Sequence, residues 1–171
     1  MRRIGLISDT HSWLDEQVFT YFDEVDEIWH AGDVGDIAVL DALKKVKPVR
    51  GVYGNIDNHE VRAELPRDRR FLIEGFDVWM THIGGYPGRY SKRVREALKH
   101  NPPHIFICGH SHILKVMRDK KYKNMFCLNP GAAGVHGFHK VRTLLRFTLD
   151  KGNIKDMEVI ELGLRGKSQP S

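Results

Sequence analysis

The first 57 residues alternate in a way that narrows the fold before any single residue is weighed. An apolar run at Ile4 to Ser8 is followed by Leu14, Val18, Tyr21, Phe22 and Val25 at helical spacing, then by a second run, Glu27 to Ala31. Asp36 stands where a helix N-cap belongs, ahead of Ile37, Leu40, Leu43 and Val46, and Pro48 precedes a third run from Val49 to Tyr53. Strand, helix, strand, helix, strand predicts right-handed βαβ units and a parallel sheet. Chemistry is then expected beyond the carboxyl ends of those strands, where open α/β sheets form their crevices.

After Pro66 the texture changes. Phe71 to Glu74 and Asp77 to Met80 flank Gly75 and read as a hairpin, whose second strand runs out into Thr81-His82-Ile83-Gly84-Gly85. A helix is expected from near Ser91 to before Pro102, and then a buried strand, Ile105 to Cys108, leading into Gly109-His110-Ser111-His112. Further strands are expected at 114–118, 125–128, 141–149 and 154–162, with Val141, Thr143, Leu145, Phe147 and Leu149 in clean alternation. The order of these C-terminal strands suggests a second sheet packed on the first. No repeat or linker interrupts the chain, so a single domain over residues 1–164 is expected, with residues 165–171 as a flexible tail.

Apolar residues at 41% and charged residues at 29% describe an ordinary soluble globular chain of 171 residues, long enough for a substantial core. No apolar stretch approaches the roughly 20 residues of a membrane span. The first apolar run is too short for a signal peptide, and Cys108 and Cys127 sit in apolar runs as buried free thiols, so a cytoplasmic protein is expected. The net charge of +5 is scattered over Arg67, Arg69 and Arg70, over Lys92, Arg93 and Arg95, and over Lys120, Lys121 and Lys123. These clusters read as solvated faces, since no aromatic-interleaved basic platform for nucleic acid accompanies them. The excess positive charge still favours anionic substrates.

Five separate apolar runs end in side chains able to bind metal: Asp9 and His11, Asp33, Asn55, His82, and His110 with His112. Singly these have dull explanations, such as a helix cap, a turn former or a satisfied core histidine. Seven of them at five strand ends, each beside glycine or another small residue, point instead to a shared metal site. Four imidazoles, two carboxylates and an amide oxygen, with no thiolate, suit manganese, iron, zinc, nickel or magnesium. Seven donors exceed one tetrahedral ion and suit two, bridged by one carboxylate. The remaining positive charge would attract a phosphate ester, and ions about 3.5–4 Å apart would activate a bridging water for in-line displacement.

The ordered motifs Asp9-x-His11, Gly32-Asp33, Gly54-Asn55, His82 and Gly109-His110-Ser111-His112 resemble those of the metallophosphoesterase (calcineurin-like) superfamily. With the chain length and the Asn129-Pro130-Gly131 turn, the sequence is most similar to the small YfcE-like phosphodiesterases of bacteria and archaea. The resemblance implies an α/β fold: a four-layer α/β/β/α sandwich, two packed mixed sheets flanked by helices. It also implies a dinuclear site, manganese first among its metals. Carried over by position, one ion takes Asp9, His11, Asp33 and His112, and the other takes Asp33, Asn55, His82 and His110. The implied activity is hydrolysis of small phosphate esters, diesters or monoesters, with Asp33 and Asn55 acting through the metal-activated water and Asn55 also touching substrate. Homodimers are common among similar small members.

Many members carry a histidine directly after the motif asparagine, where it helps protonate the leaving group; here that position is Ile56, and small YfcE-like members similarly lack the histidine. General acid–base help is typically worth about a hundred- to ten-thousand-fold, so a modest turnover or a preference for good leaving groups is expected. His59 is a candidate substitute, against the simpler reading of a surface histidine, and Asp57 is expected to order its loop. In the loop Gly84 to Arg89, Arg89 is a candidate for a phosphate oxygen, against an ordinary glycine-rich surface loop. His136 and His139 belong either to a pocket rim or to plain surface. Two other functions fit the resemblance: a non-catalytic protein-binding scaffold like the retromer subunit of this superfamily, and a nuclease. The filled ligand positions argue against the first and the short chain against the second.

Overall fold

A computed structural model of the chain describes residues 1–166. The elements run β1 (Arg2–Ile7), α1 (Gln17–Tyr21), β2 (Glu27–His30), α2 (Ile37–Val46), β3 (Val49–Gly51), α3 (His59–Glu64), β4 (Asp68–Ile73), β5 (Phe76–Thr81), α4 (Lys92–His100), β6 (Ile105–Ile107), β7 (Lys115–Asp119), β8 (Met125–Asn129), β9 (Val141–Asp150) and β10 (Asn153–Leu164). They form two five-stranded sheets, ordered β10-β9-β1-β2-β3 and β4-β5-β6-β8-β7. Both are mixed. In the first, β1, β2 and β3 are parallel and β9 and β10 antiparallel. In the second, β5, β6 and β8 are parallel, with β4 and β7 as antiparallel edges.

Side-chain alternation along each strand builds the layers. In β1, Ile4 and Leu6 face the second sheet while Ile7 faces helices; in β6, Ile105 and Ile107 face the first sheet while Phe106 faces α4. The inter-sheet layer gathers Trp29, Val52, Val78, Met80, Leu128 and Phe147. Outside the first sheet, Val18 of α1, Leu40 and Leu43 of α2 and Val61 of α3 cover Ile28 and Leu144. Outside the second, Val94 and Leu98 of α4 cover Trp79, Cys108 and Cys127. Helix, sheet, sheet, helix is the expected sandwich, and both cysteines are buried free thiols.

Local signals place the helices. Asp36 caps α2 by accepting from the Ala38 N–H at 2.9 Å, and Ser91 caps α4 by accepting from Val94. Among the described residues no helix is long and apolar enough to cross a membrane.

Three expectations are corrected. The first helix ends at Tyr21, although Phe22 and Val25 are buried with Val18. The chain must turn back so that Asp26 can donate its N–H to the Arg3 carbonyl and accept from the Arg3 N–H, both at 2.8 Å. The apolar spacing therefore marks a buried face, not a helix length. The strands at 141–149 and 154–162 join the first sheet, not the second, with β9 lying antiparallel beside β1. And β9 is not one-sided, because Leu144 packs under the helices while Leu145 faces the other sheet.

Residues 165–171, expected as a tail, begin as a tied turn: Arg165 donates its N–H to Lys140 O at 2.9 Å and its Nε–H to His139 O at 2.7 Å. Residues 167–171 of that tail lie outside the described residues. The last strand, β10, is an exposed edge whose pairing with β9 slips between Lys155 and Glu158 and again between Glu161 and Gly163.

Candidate metal centre

The carboxyl ends of β1, β2 and β3 and those of β5 and β6 open on a common rim. Short backbone hydrogen bonds stitch the loops there: Asp9 N to Gly32 O, His11 N to Asp33 O and Gly109 N to His82 O, each 3.0 Å. Five of the seven ligand candidates have left-handed backbones: Asp9 (φ 53°), His11 (45°), Asp33 (56°), His110 (71°) and His112 (63°). Aspartate and histidine tolerate that region better than most residues, yet each such residue costs about 1–3 kcal/mol. The strain is the means of aiming consecutive side chains off a strand end into one space. Gly32 makes room beside it, since a Cβ there would lie 2.6 Å from His82 Nδ1. At Gly54 a Cβ would collide with Asp33, and at Gly109 with Ser8.

Each buried carboxylate has one oxygen held by the protein and one turned inward. Asp9 Oδ2 accepts from the Ser8 hydroxyl at 2.7 Å and from the His110 N–H at 3.1 Å. Its Oδ1 lies 3.2 Å from His112 Nε2 and 3.7 Å from His11 Nε2. Asp33 Oδ1 accepts from the Ile56 N–H at 3.1 Å, while Oδ2 lies 3.1 Å from His82 Nε2 and 3.4 Å from His11 Nε2. Ligand atoms thus fall into two compact sets, Asp9–His11–His112 and Asp33–His82–His110, each within 4.8 Å. Asn55 Oδ1, 3.0 Å from His110 Nδ1, borders the second set.

The histidines are oriented from behind. His82 donates its Nδ1–H to Ala31 O at 2.7 Å, which leaves Nε2 as a lone pair facing the centre. His139 donates Nε2–H to Gly134 O at 2.8 Å; its Nδ1 therefore accepts from His112 Nδ1–H at 3.3 Å, again leaving Nε2 of His112 bare toward Asp9. Asn129 braces the turn that carries His110 and His112, donating from Nδ2 to Gly109 O at 3.0 Å and to the Ser111 hydroxyl at 3.1 Å.

These residues fit divalent cations. Buried side-chain atoms without a hydrogen-bond partner, among the described residues, are Asp9 Oδ1, His11 Nε2, His82 Nε2 and Arg146 Nε, and the first three converge here. An unpaired buried polar atom is costly, so three together mark a place for a positively charged ligand. The electrostatics agree. Burial would raise the Asp9 carboxyl, but the imidazoles of His11, His112 and His82 facing it and the Ser8 hydroxyl hold it far below the usual carboxylate range. Burial likewise opposes, and His82 outweighs, in lowering Asp33. His82 is raised, burial being overcome by the two carboxylates, and His110 is lowered by burial and by His82.

The remaining candidates divide. Arg89 is exposed and lines a cavity of about 250 Å³ that His110 also borders. His59 is exposed at the start of α3, a helix the sequence pattern did not predict, and lines none of the cavities beside the donor sets. Asp57 orders its loop by accepting N–H groups from Val34, Gly35 and Gly54 at 3.2, 2.8 and 2.7 Å. His136 stacks on His11 with centroids 4.8 Å apart, and with Phe138 it walls a cavity of about 430 Å³ over both donor sets.

A sequence model of the calcineurin-like phosphoesterase superfamily domain matches residues 1–152. The chain belongs to that superfamily. A probable metallophosphoesterase of Methanothermobacter thermautotrophicus is 36% identical over 137 residues, 77% of each chain. Two solved structures share the phosphoesterase fold. An archaeal phosphodiesterase superposes with a TM-score of 0.71 at 20% identity, covering 94% of this chain and 99% of its own. Vps29 of Entamoeba histolytica, in complex with Zn²⁺, superposes with a TM-score of 0.69 at 19% identity, covering 93% and 98%. This calcineurin-like chain is accordingly a phosphoesterase at the level of family, with candidate metal-binding groups where its loops meet.

Proposed function

We propose that the protein is a dinuclear metal-dependent phosphodiesterase acting on small phosphate esters. The observation that carries the reading is the convergence of two donor sets and three unpartnered buried atoms on one rim. One ion would be held by Asp9, His11, Asp33 and His112, and the other by Asp33, Asn55, His82 and His110. Asp33 would be the shared ligand, since its Oδ2 lies 3.4 Å from His11 Nε2 and 3.1 Å from His82 Nε2, nearer to both than Asp9 Oδ1 at 3.7 and 3.8 Å. Bound there, two divalent cations, manganese first, would acidify water and neutralise charge on the phosphate.

The chain's own part is positional. The hydrogen-bonded second oxygens of Asp9 and Asp33 keep both carboxylates from rotating. The amide of Asn55 would donate to a phosphate oxygen, and Arg89, lining a cavity that His110 borders, would meet the outer end of the ester. Ile56 follows Asn55 and leaves no proton donor there, so esters with weakly basic leaving groups should be the better substrates.

The test is a phosphoester panel headed by bis-p-nitrophenyl phosphate, with protein depleted of metal and reloaded with Mn²⁺. Metal-stimulated hydrolysis is expected, and Asp33→Asn should lower it by more than about a hundredfold, beyond the usual loss for a residue that only supports a ligand. No bound metal and no metal-stimulated turnover across the panel would overturn the reading and favour a protein-binding scaffold on the same fold.

A further inference from the structure

A third cavity opens from the same centre in another direction. It encloses about 420 Å³, and Asn55 and His82 form its inner wall. The outer wall carries Arg62, Arg67 and Arg93, and no carboxylate lines it. Arg67 and Arg93 fall among sequence clusters that read as solvated faces. Two are held in place by the protein. Arg62 donates its Nε–H to Asp57 O at 2.7 Å and lies 4.4 Å from the Tyr53 ring centroid. Arg93 donates to both oxygens of Asp68 at 2.9 Å and to the Thr81 hydroxyl at 2.7 Å. Arg67 makes no hydrogen bond or ion pair among the described residues. Asp68 therefore offsets one of three guanidinium charges, and a positive cavity is left beside a centre that would itself hold cations.

Resting on the phosphodiesterase reading, we infer that this cavity binds a second phosphate carried on one arm of the substrate. The scissile phosphate belongs at the donor sets, so a group lodged beyond Asn55 and His82 is attached to it, not identical with it. Guanidinium groups suit phosphate because their planar N–H forks match its oxygens. Arg62 is presented by stacking on Tyr53 with its Nε already satisfied, so its terminal N–H groups remain to donate. On the opposite side of Asn55 the character reverses. There Ile56, Ile113 and Phe138, all exposed, line the cavity over the donor sets. A diester with an aromatic arm toward that rim and a phosphorylated arm toward the arginines matches both walls.

The test uses a matched pair, thymidine 5′-(p-nitrophenyl phosphate) with and without a 3′-phosphate, on the Mn²⁺-loaded protein. Calorimetric binding of thymidine 3′,5′-bisphosphate and thymidine 5′-monophosphate runs beside it. The extra phosphate should raise kcat/KM and tighten binding by about tenfold, the lower range for charge-assisted hydrogen bonds at an exposed site. Arg67→Gln should erase both preferences, while Arg95→Gln, an equal loss of charge elsewhere on the surface, should keep them. Equal kcat/KM and equal affinity within each pair would overturn the inference, as would preferences that survive Arg67→Gln and Arg62→Gln. A binding preference without hydrolysis of either ester would remove the catalytic reading and leave the phosphate cavity standing.

Discussion

Asp9 and Asp33 illustrate how a carboxylate is prepared for a cation: one oxygen is fixed by protein donors and the other is turned toward the imidazoles. The imidazoles receive the same treatment through Ala31 O and through His139. His139→Ala should release the Nδ1–H of His112 and weaken Mn²⁺ binding by about 10–100-fold, with the fold intact. His139→Gln, which retains an acceptor, should recover much of the loss. Titration calorimetry on the metal-free protein reads both. The seven ligand candidates were legible because donor chemistry is written in residue type and each stands just past an apolar run. The supporting role of His139 was not, because it depends on the 134–140 loop folding back over His112. Nor was the left-handed backbone at five ligand positions, which glycine-poor triplets such as His110-Ser111-His112 give no reason to expect.

At the scale of elements, the end of β2 carries a constraint on pH. His30 is fully buried, accepts the Gly32 N–H on Nδ1 at 3.1 Å and faces the Thr10 hydroxyl through Nε2 at 3.1 Å; that hydroxyl donates on to Val34 O at 2.8 Å. A proton on Nδ1 would oppose the Gly32 donor. Burial, only partly offset by Asp57, Asp9 and Asp33, pushes its pKa down to about 4. The unfolded chain binds that proton near pH 6.5, so the stability from neutral His30 is complete above pH 6.5 and is lost as pH falls toward 4. Metal-free protein should lose up to about 1.4 kcal/mol per pH unit across this window, and His30→Gln should flatten the thermal-denaturation profile. The βαβαβ half was readable because parallel strands buried on both faces make continuous apolar runs. The sheet membership of β9 and β10 was not, since alternation shows which residues face inward but not which strand lies alongside. The short α3, over one turn long, leaves too few apolar positions to mark a period.

For the whole molecule, the centre is also a clasp. Asp9, His11, Asp33 and Asn55 come from the first sheet, and His82, His110 and His112 from the second. Cations held between them would join the two sheets at one rim, and chelation would leave unpaired buried groups facing each other. Mn²⁺ at a hundred times its dissociation constant should stabilise the fold by about 2.7 kcal/mol. For a chain of this size that is a rise in Tm of about 5–10 °C over the EDTA-treated protein, measurable by calorimetry. Asp33→Asn should shrink the rise.

The two slips in the pairing of β10 have a consequence away from the centre. A twelve-residue strand at a sheet edge presents a row of unused peptide groups to any similar strand that drifts past. Asp156, with a left-handed φ of 54°, and the positively twisted Gly163 break that row into short pieces, while Lys155, Glu158 and Glu161 surround it with charge. A straightened β10 would be a template for another molecule's strand. The irregularity works against this sheet's last strand recruiting a sixth across the boundary between two molecules.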